Sequence, residues 1–220
     1  MITVHHLADS RSQRVLWLLE ELGRPYEVKR YERNPATMLA PPELKAIHPL
    51  GKSPVVDDGE VRVAETGAIV DYLLEGPNGS ALRPAPGTEA GRRYTYWLHY
   101  AEGSAMTPLL LKLIFGQLPK RSPGLVRPVV KAISAKAQDG FIDPQIAAHT
   151  AYWEAELGKS EWFAGDQFSA ADIMMSFPIE AGATRAPYGD KPRLKAFLEK
   201  VHARPAYQRA LERGGPYSYA

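Results

Sequence analysis

Apolar positions in the first eighty residues change period three times. Ile2–His6 reads as a strand. From Ser12 to Leu22 the spacing becomes helical, with Val15, Leu16, Leu18, Leu19 and Leu22 forming a broad face. A Ser/Asp cluster precedes that helix, Gly23 stops it, and Pro25 stands just beyond. Tyr26–Tyr31 is a second strand. Val55-Val56, then Asp57-Asp58-Gly59, then Val61 and Val63 predict a hairpin turning at the Asp-Asp-Gly. Pro54 opens that strand, where its missing N–H costs no ladder bond. After Glu65-Thr66-Gly67, the residues Ala68, Ile69, Val70, Tyr72 and Leu73 return to helical spacing. Strand, helix, strand, hairpin, helix is the order of a thioredoxin-like α/β domain.

Glycine and proline then crowd the stretch from Gly76 to Gly87, which predicts a linker. Beyond it the strand pattern largely disappears. Thr88–Phe115 reads as one long helix, with Tyr94, Trp97, Leu98, Ala101 and Ala105 on one face and a bend at Pro108. Further helices are expected at Leu125–Ala137, Pro144–Leu157, Ala170–Gly182, Arg193–Ala203 and Pro205–Glu212. The expected organisation is therefore an α/β domain over residues 1–78, a linker over 79–87 and an all-helical domain over 88–220.

Composition narrows the function without naming it. Of the 220 residues, 45% are hydrophobic and 24% charged, an ordinary soluble mixture, and no run approaches the apolar length of a membrane span. Met1–His6 has neither the basic start nor the apolar core of a secretory signal, so a cytoplasmic protein is expected. Cysteine is absent, which removes disulfides, thiolate nucleophiles and Cys-based metal sites. Thiol chemistry here needs its sulfur from a small molecule. A net charge of +2 is too small to point to nucleic acid.

Two short segments could carry chemistry. Ser10 and Ser12 lie between the first strand and the first helix. Ser12 or Asp9 can serve simply as a helix cap. The same placement lets a hydroxyl donate to a thiolate, whose charge the helix dipole favours. A free thiol titrates near ~8.5, and such surroundings lower that value. The second segment is Glu65-Thr66, which can be a plain helix start or an anion site at a helix N-terminus.

The residues around these segments resemble the glutathione transferase family. His48-Pro49-Leu50-Gly51-Lys52-Ser53-Pro54, a valine pair, and Glu65-Thr66-Gly67-Ala68-Ile69 look like its glutathione-binding half. Leu7–Leu22 resembles its first strand, catalytic-hydroxyl loop and first helix. Phe168–Ile173 is similar to the capping box of its sixth helix. The runs SRSQRVLWLLEEL and WLHYAEGS are closest to serine-type bacterial and fungal members.

The resemblance implies that Ser10 holds the glutathione thiolate, with Ser12 as a rival. It implies a cis Ser53-Pro54 bond that presents the Ser53 main chain to the cysteinyl part of glutathione. Lys52 would reach the peptide, while Glu65 and Thr66 would take the γ-glutamyl ammonium and carboxylate. Met38-Leu39-Ala40 lacks the basic residue the family often places near the glycyl carboxylate, leaving Lys45 or Lys52 for that end. Leu7, Ala8, Tyr100 and Met106 are candidates for the wall facing a hydrophobic electrophile. A homodimer is implied, with glutathione as co-substrate and no metal. The activity would be thiolate attack on carbon, extended to hydroperoxides. The alternatives are a non-catalytic binding or regulatory protein on the same fold, or a glutathione-dependent isomerase or dehalogenase.

Other motifs add little. The six histidines show no metal spacing, and His5 and His6 point to opposite faces of one strand. Gly51-Lys52-Ser53 resembles the end of a phosphate loop, but Ala46 stands where its first glycine belongs. Ser169-Ala170-Ala171-Asp172 is a structural capping box, with Phe168 and Ile173 as its staple. Between Glu102 and Asp139 the only charges are basic, from Lys112 to Lys136, which reads as a solvated helical face or as a surface for anionic partners.

Overall fold

Four strands form one sheet in the order β2-β1-β3-β4, with β1 (Ile2–Leu7) inside it. The computed structural model describes residues 1–186 and 188–220. β2 (Tyr26–Tyr31) runs parallel to β1, and α1 (Gln13–Leu22) makes the crossover that a parallel pair requires. β3 (Val55–Asp58) and β4 (Val61–Ala64) are antiparallel, with His5 opposite Val55 and Val55 opposite Ala64. A short α2 (Glu43–Ile47), which the sequence reading did not anticipate, precedes β3; α3 (Thr66–Leu74) follows β4. This is the expected thioredoxin-like arrangement.

The hairpin turns two residues later than expected. Asp57 and Asp58 remain in β3, Asp58 pairs with Val61, and Gly59-Glu60 makes the turn. A two-residue hairpin turn needs a positive φ at its first position, and Gly59 supplies it at 63°. Asp57 stays in the strand because Arg62 and His5 both bind its carboxylate.

The second half is helical. Its helices are α4 (Glu89–Tyr100), α5 (Met106–Arg121), α6 (Arg127–Ala137), α7 (Asp143–Glu156), α8 (Ala170–Arg185), α9 (Pro192–His202) and α10 (Pro205–Gly214). The bend expected at Pro108 lies upstream of it, as a π turn over Ala101–Ala105. Pro108 cannot donate to the Ser104 carbonyl, so the irregular bonding falls in the turn just before the proline. A second π turn, Gln138–Ile142, joins α6 to α7. Within the expected linker, Gly79–Leu82 forms a 3-10 turn.

The two halves meet at α1. Its apolar face covers the sheet, and its other side is sealed by α8 and α10, so even Gln13 and Arg14 are buried. Trp17 meets Tyr207 edge-on at 5.2 Å, and Arg204 clamps Glu21 at 2.6 and 2.9 Å. α8 is the central helix: every residue from Ala170 to Gly182 is buried. Its start is fixed by the predicted box, with Asp172 accepting from Ser169 N–H at 2.9 Å, the Ser169 hydroxyl at 3.0 Å and Phe163 N–H at 2.8 Å. Among the described residues no helix is long and apolar enough to cross a membrane.

Candidate active site

Sheet register brings the two chemistry-bearing segments together. β3 is antiparallel to β1, so its start lies beside the end of β1. β4 returns Ala64 opposite Val55, which sets Glu65-Thr66 next to Ser53-Pro54. The loop after β1, the loop before β3 and the start of α3 therefore share one end of the sheet.

The first loop is braced from within. Asp9 takes a left-handed φ of 50°, held where Arg33 donates to the Ala8 and Asp9 carbonyls at 3.0 and 3.1 Å. Ser10 Oγ and Ser12 Oγ share a hydrogen bond of 2.7 Å, and Ser12 N–H also donates to Ser10 Oγ at 3.3 Å. Ser12 Oγ meets His6 Nδ1 at 2.8 Å and accepts from Leu7 N–H at 3.2 Å. Ser12 is 0% exposed and Ser10 6% exposed. Ser12 makes no side-chain cap bond to α1, so its hydroxyl ties the loop to β1 instead of capping the helix. Of the two hydroxyls, Ser10 lies nearer the surface.

Burial, with Arg30 nearby, lowers His6 from its ordinary 6.5 to about 4. At neutral pH the ring is therefore uncharged, with an acceptor nitrogen available.

Ser53 closes the site from the other side. Its hydroxyl donates to the His5 carbonyl at 2.7 Å and accepts from Leu7 N–H at 3.2 Å. The Ser53-Pro54 bond is cis, as the resemblance implies. Among the described residues neither the Ser53 N–H nor its carbonyl has a backbone partner, which leaves an open edge for an extended peptide. Glu65 stands at φ 71° with an exposed carboxylate and no side-chain cap bond. Thr66 is buried, and the first N–H groups of α3 have no intrahelical acceptor. Lys52 is exposed, and Gly51 at φ 57° lies against the Lys45 side chain, so both lysines flank Ser53.

The four wall candidates do not converge. Leu7 packs into a small cluster with Tyr31 and Leu44, and Met106 is buried in the main core. Ala8 is buried at the loop. Tyr100 turns its hydroxyl to His149 and Trp153 on α7, and lines a cavity of about 590 Å³ there. The residues that do border the loop were missed. Arg11 and Arg14 grip Glu102 of the π turn, and Phe177 of α8 lies under both guanidiniums. Burial pushes the Glu102 carboxyl up, but Arg14 and Arg11 outweigh it and hold it below the ordinary range. Ser218 of the C-terminal tail donates to Asp9 through its N–H at 2.7 Å and its hydroxyl at 3.0 Å. No local sequence signal marks these pairings, which join distant segments.

Residues 1–75 match the model of the glutathione S-transferase N-terminal domain, and residues 126–213 that of the C-terminal domain. Glutathione S-transferase 3 of Schizosaccharomyces pombe is 35% identical, over 97% of this chain and 88% of its own length. The chain belongs to the glutathione S-transferase family. Glutathione S-transferase 1 of Saccharomyces cerevisiae is 31% identical over 97% of this chain and 95% of its own length. A glutathione S-transferase from Actinobacillus pleuropneumoniae superimposes with a TM-score of 0.78 at 33% identity, covering 100% of this chain and 95% of that one. A glutathione transferase family member from Pseudomonas fluorescens, solved with two glutathione molecules bound, gives 0.70 at 26% identity, covering 96% and 92%. In this glutathione transferase scaffold the open main chain of Ser53 and the start of α3 lie side by side. Among the described residues no three His, Cys, Asp or Glu side chains gather as a metal cage.

Proposed function

We propose that the chain is a cytosolic glutathione transferase in which Ser10 holds the thiolate of bound glutathione for attack on a hydrophobic electrophile. The observation that carries this is the meeting of the Ser10 hydroxyl, the open Ser53 main chain and the α3 N-terminus at one end of the sheet. Glutathione lies extended along Ser53, its cysteinyl part paired with that main chain. Glu65 takes its ammonium, Thr66 and the free N–H groups of α3 take its α-carboxylate, and Lys45 or Lys52 takes the glycyl end. The sulfur then sits over the first loop, where a hydroxyl hydrogen and the α1 dipole favour its anionic form.

Sulfur donates its electron pair to an electrophilic carbon, whose leaving group departs with the old bonding pair. With a hydroperoxide the same pair attacks the terminal oxygen and breaks the O–O bond, oxidising glutathione to its sulfenic acid and releasing an alkoxide that takes a proton from water. Anchoring the peptide ends positions the sulfur before reaction. The boundaries that suit this reading are a glutathione-binding domain over 1–78, a linker over 79–87 and a helical domain over 88–220. The working form is a homodimer, supported by the cavity between α4 and α7 and by the apolar Leu50, 63% exposed beside the glutathione loop.

Calorimetry tests the binding half. Glu65→Ala should weaken glutathione by about 1.5–3 kcal/mol, the range for a hydrogen bond to a charged group. An unchanged affinity in a folded variant would remove Glu65 from the site.

A further inference from the structure

We propose that Arg11 makes the second-substrate site select electrophiles carrying a carboxylate or sulfonate at one end of an apolar or aromatic body. The inference rests on the reading that Ser10 holds the thiolate, because Arg11 is the next residue along the loop. Arg11 Nε stands 2.8 Å from Glu102, and its guanidinium lies 5.8 Å from the centre of the Phe177 ring. The side chain is 37% exposed; its Nε is buried in an ion pair with Glu102 that lacks hydrogen-bond geometry, and among the described residues its two terminal nitrogens make no hydrogen bond. The guanidinium is thus held to Glu102 by charge through Nε, while its hydrogen-bonding capacity at the terminal nitrogens is unused one residue from Ser10.

The surrounding charges do not cancel it. Arg14, buried on Phe177, already pairs with Glu102 and also donates to the Met174 carbonyl at 2.7 Å. Arg185 lies near enough to repel Arg11, and its own partners are the Leu109 carbonyl at 3.2 Å and the Tyr219 hydroxyl at 3.0 Å. Three guanidiniums therefore gather around one partly exposed carboxylate, which pairs with two of them, Arg11 and Arg14. The other carboxylates near this layer are engaged: Asp9 by Ser218, and the buried Glu180 by Tyr207, Tyr217 and His202. Beyond Arg185 the positive surface continues into a cavity of about 450 Å³ that holds Lys112, Lys191 and one carboxylate, Asp143, bound by Lys112.

An oxyanion completes the free edge of Arg11 with paired hydrogen bonds, which guanidinium geometry favours over a point charge. Half-buried Tyr219, stacked edge-on against Phe177 at 5.4 Å, offers aromatic surface for the body of the same molecule.

The test compares benzylideneacetone with its 4-carboxy derivative. In both, the sulfur pair forms the new C–S bond, the alkene pair moves onto the enolate, and water protonates that enolate. The readout is the ratio of kcat/KM for the carboxylate to kcat/KM for the neutral ketone, which cancels general damage. Arg11→Gln should lower the ratio ~10-fold or more, the scale of one charge-assisted hydrogen bond, and Arg11→Lys should restore part of it. In the unmutated enzyme the ratio should fall as salt rises from about 0.01 to 0.5 M, as screening requires. A ratio unmoved by both Arg11→Gln and salt overturns the proposal while leaving the transferase reading intact. If neither ketone reacts although calorimetry shows glutathione bound, the transferase reading itself fails and takes this one with it.

Discussion

Ser12→Ala removes a hydroxyl that reaches both His6 Nδ1, at 2.8 Å, and Ser10 Oγ, at 2.7 Å. The position is 0% exposed, so water cannot take its place. Leu7 N–H keeps a partner, the Ser53 hydroxyl at 3.2 Å. The His6 nitrogen keeps none. A buried polar atom left unpaired costs about 1–3 kcal/mol, and the lost bond to Ser10 adds about 1 kcal/mol. Ser12→Ala should therefore destabilise the protein by about 2–4 kcal/mol, above the ~1 kcal/mol typical of a lost helix cap. Ser10→Ala forfeits the bond between the two hydroxyls and the longer one from Ser12 N–H, leaving the Ser12 hydroxyl on His6 and Leu7, and should cost about 1–2 kcal/mol.

Catalysis should divide the other way. Ser10→Ala should lower turnover of a chlorinated aromatic, leave glutathione affinity largely intact, and move the pH–rate profile to higher pH. Urea unfolding at pH 7 with steady-state kinetics on the same preparations reads both axes. The reasoning about the buried network fails if Ser12→Ala unfolds within about 0.5 kcal/mol of the parent. The roles are reversed if Ser12→Ala abolishes turnover at full stability while Ser10→Ala remains active.

The pH dependence of stability gives a second check. His6 is lowered from 6.5 to about 4, so on acidification the unfolded chain takes up its proton first; its stabilising share is present above pH 6.5 and lost towards pH 4. His6→Gln should flatten that acid loss in a plot of unfolding free energy against pH, and an identical slope would contradict it. Asp172 works in the opposite sense: burial raises it from 3.8 to about 6, so its share is present below pH 3.8 and lost as pH rises through 6. Asp172→Ala should nevertheless destabilise the fold at pH 7 by about 2–5 kcal/mol, because it strands the Phe163 and Ser169 N–H groups in the core; a loss under 1 kcal/mol by urea unfolding would refute that role. Light scattering at micromolar concentration should give twice the 24.3 kDa chain mass, and a monomer mass would reject the dimer.

What the sequence determined by itself is what short-range physics controls. The change of period at Ser12, the stop at Gly23 and the box at Ser169–Asp172 each depend on residues within one or two helical turns, and each lies where it was read. The hairpin turn moved because Asp57 is claimed by His5, 52 residues away, together with Arg62. Nor does helix periodicity mark Arg14 as buried: that follows only when α8 and α10 close over α1, and it is tolerable only because Glu102 and the Met174 carbonyl arrive to meet the charge. The difference between Ser10 and Ser12 has the same origin. Both are small hydroxyls in one loop, equally able to donate, and nothing within the loop ranks them. The β1 register turns His6 towards Ser12 and seals it, while Ser10 is left nearer the surface. Hydrogen-bonding capacity is written in the residue type. Which hydroxyl still has a bond to offer depends on contacts between segments that only the folded chain brings together.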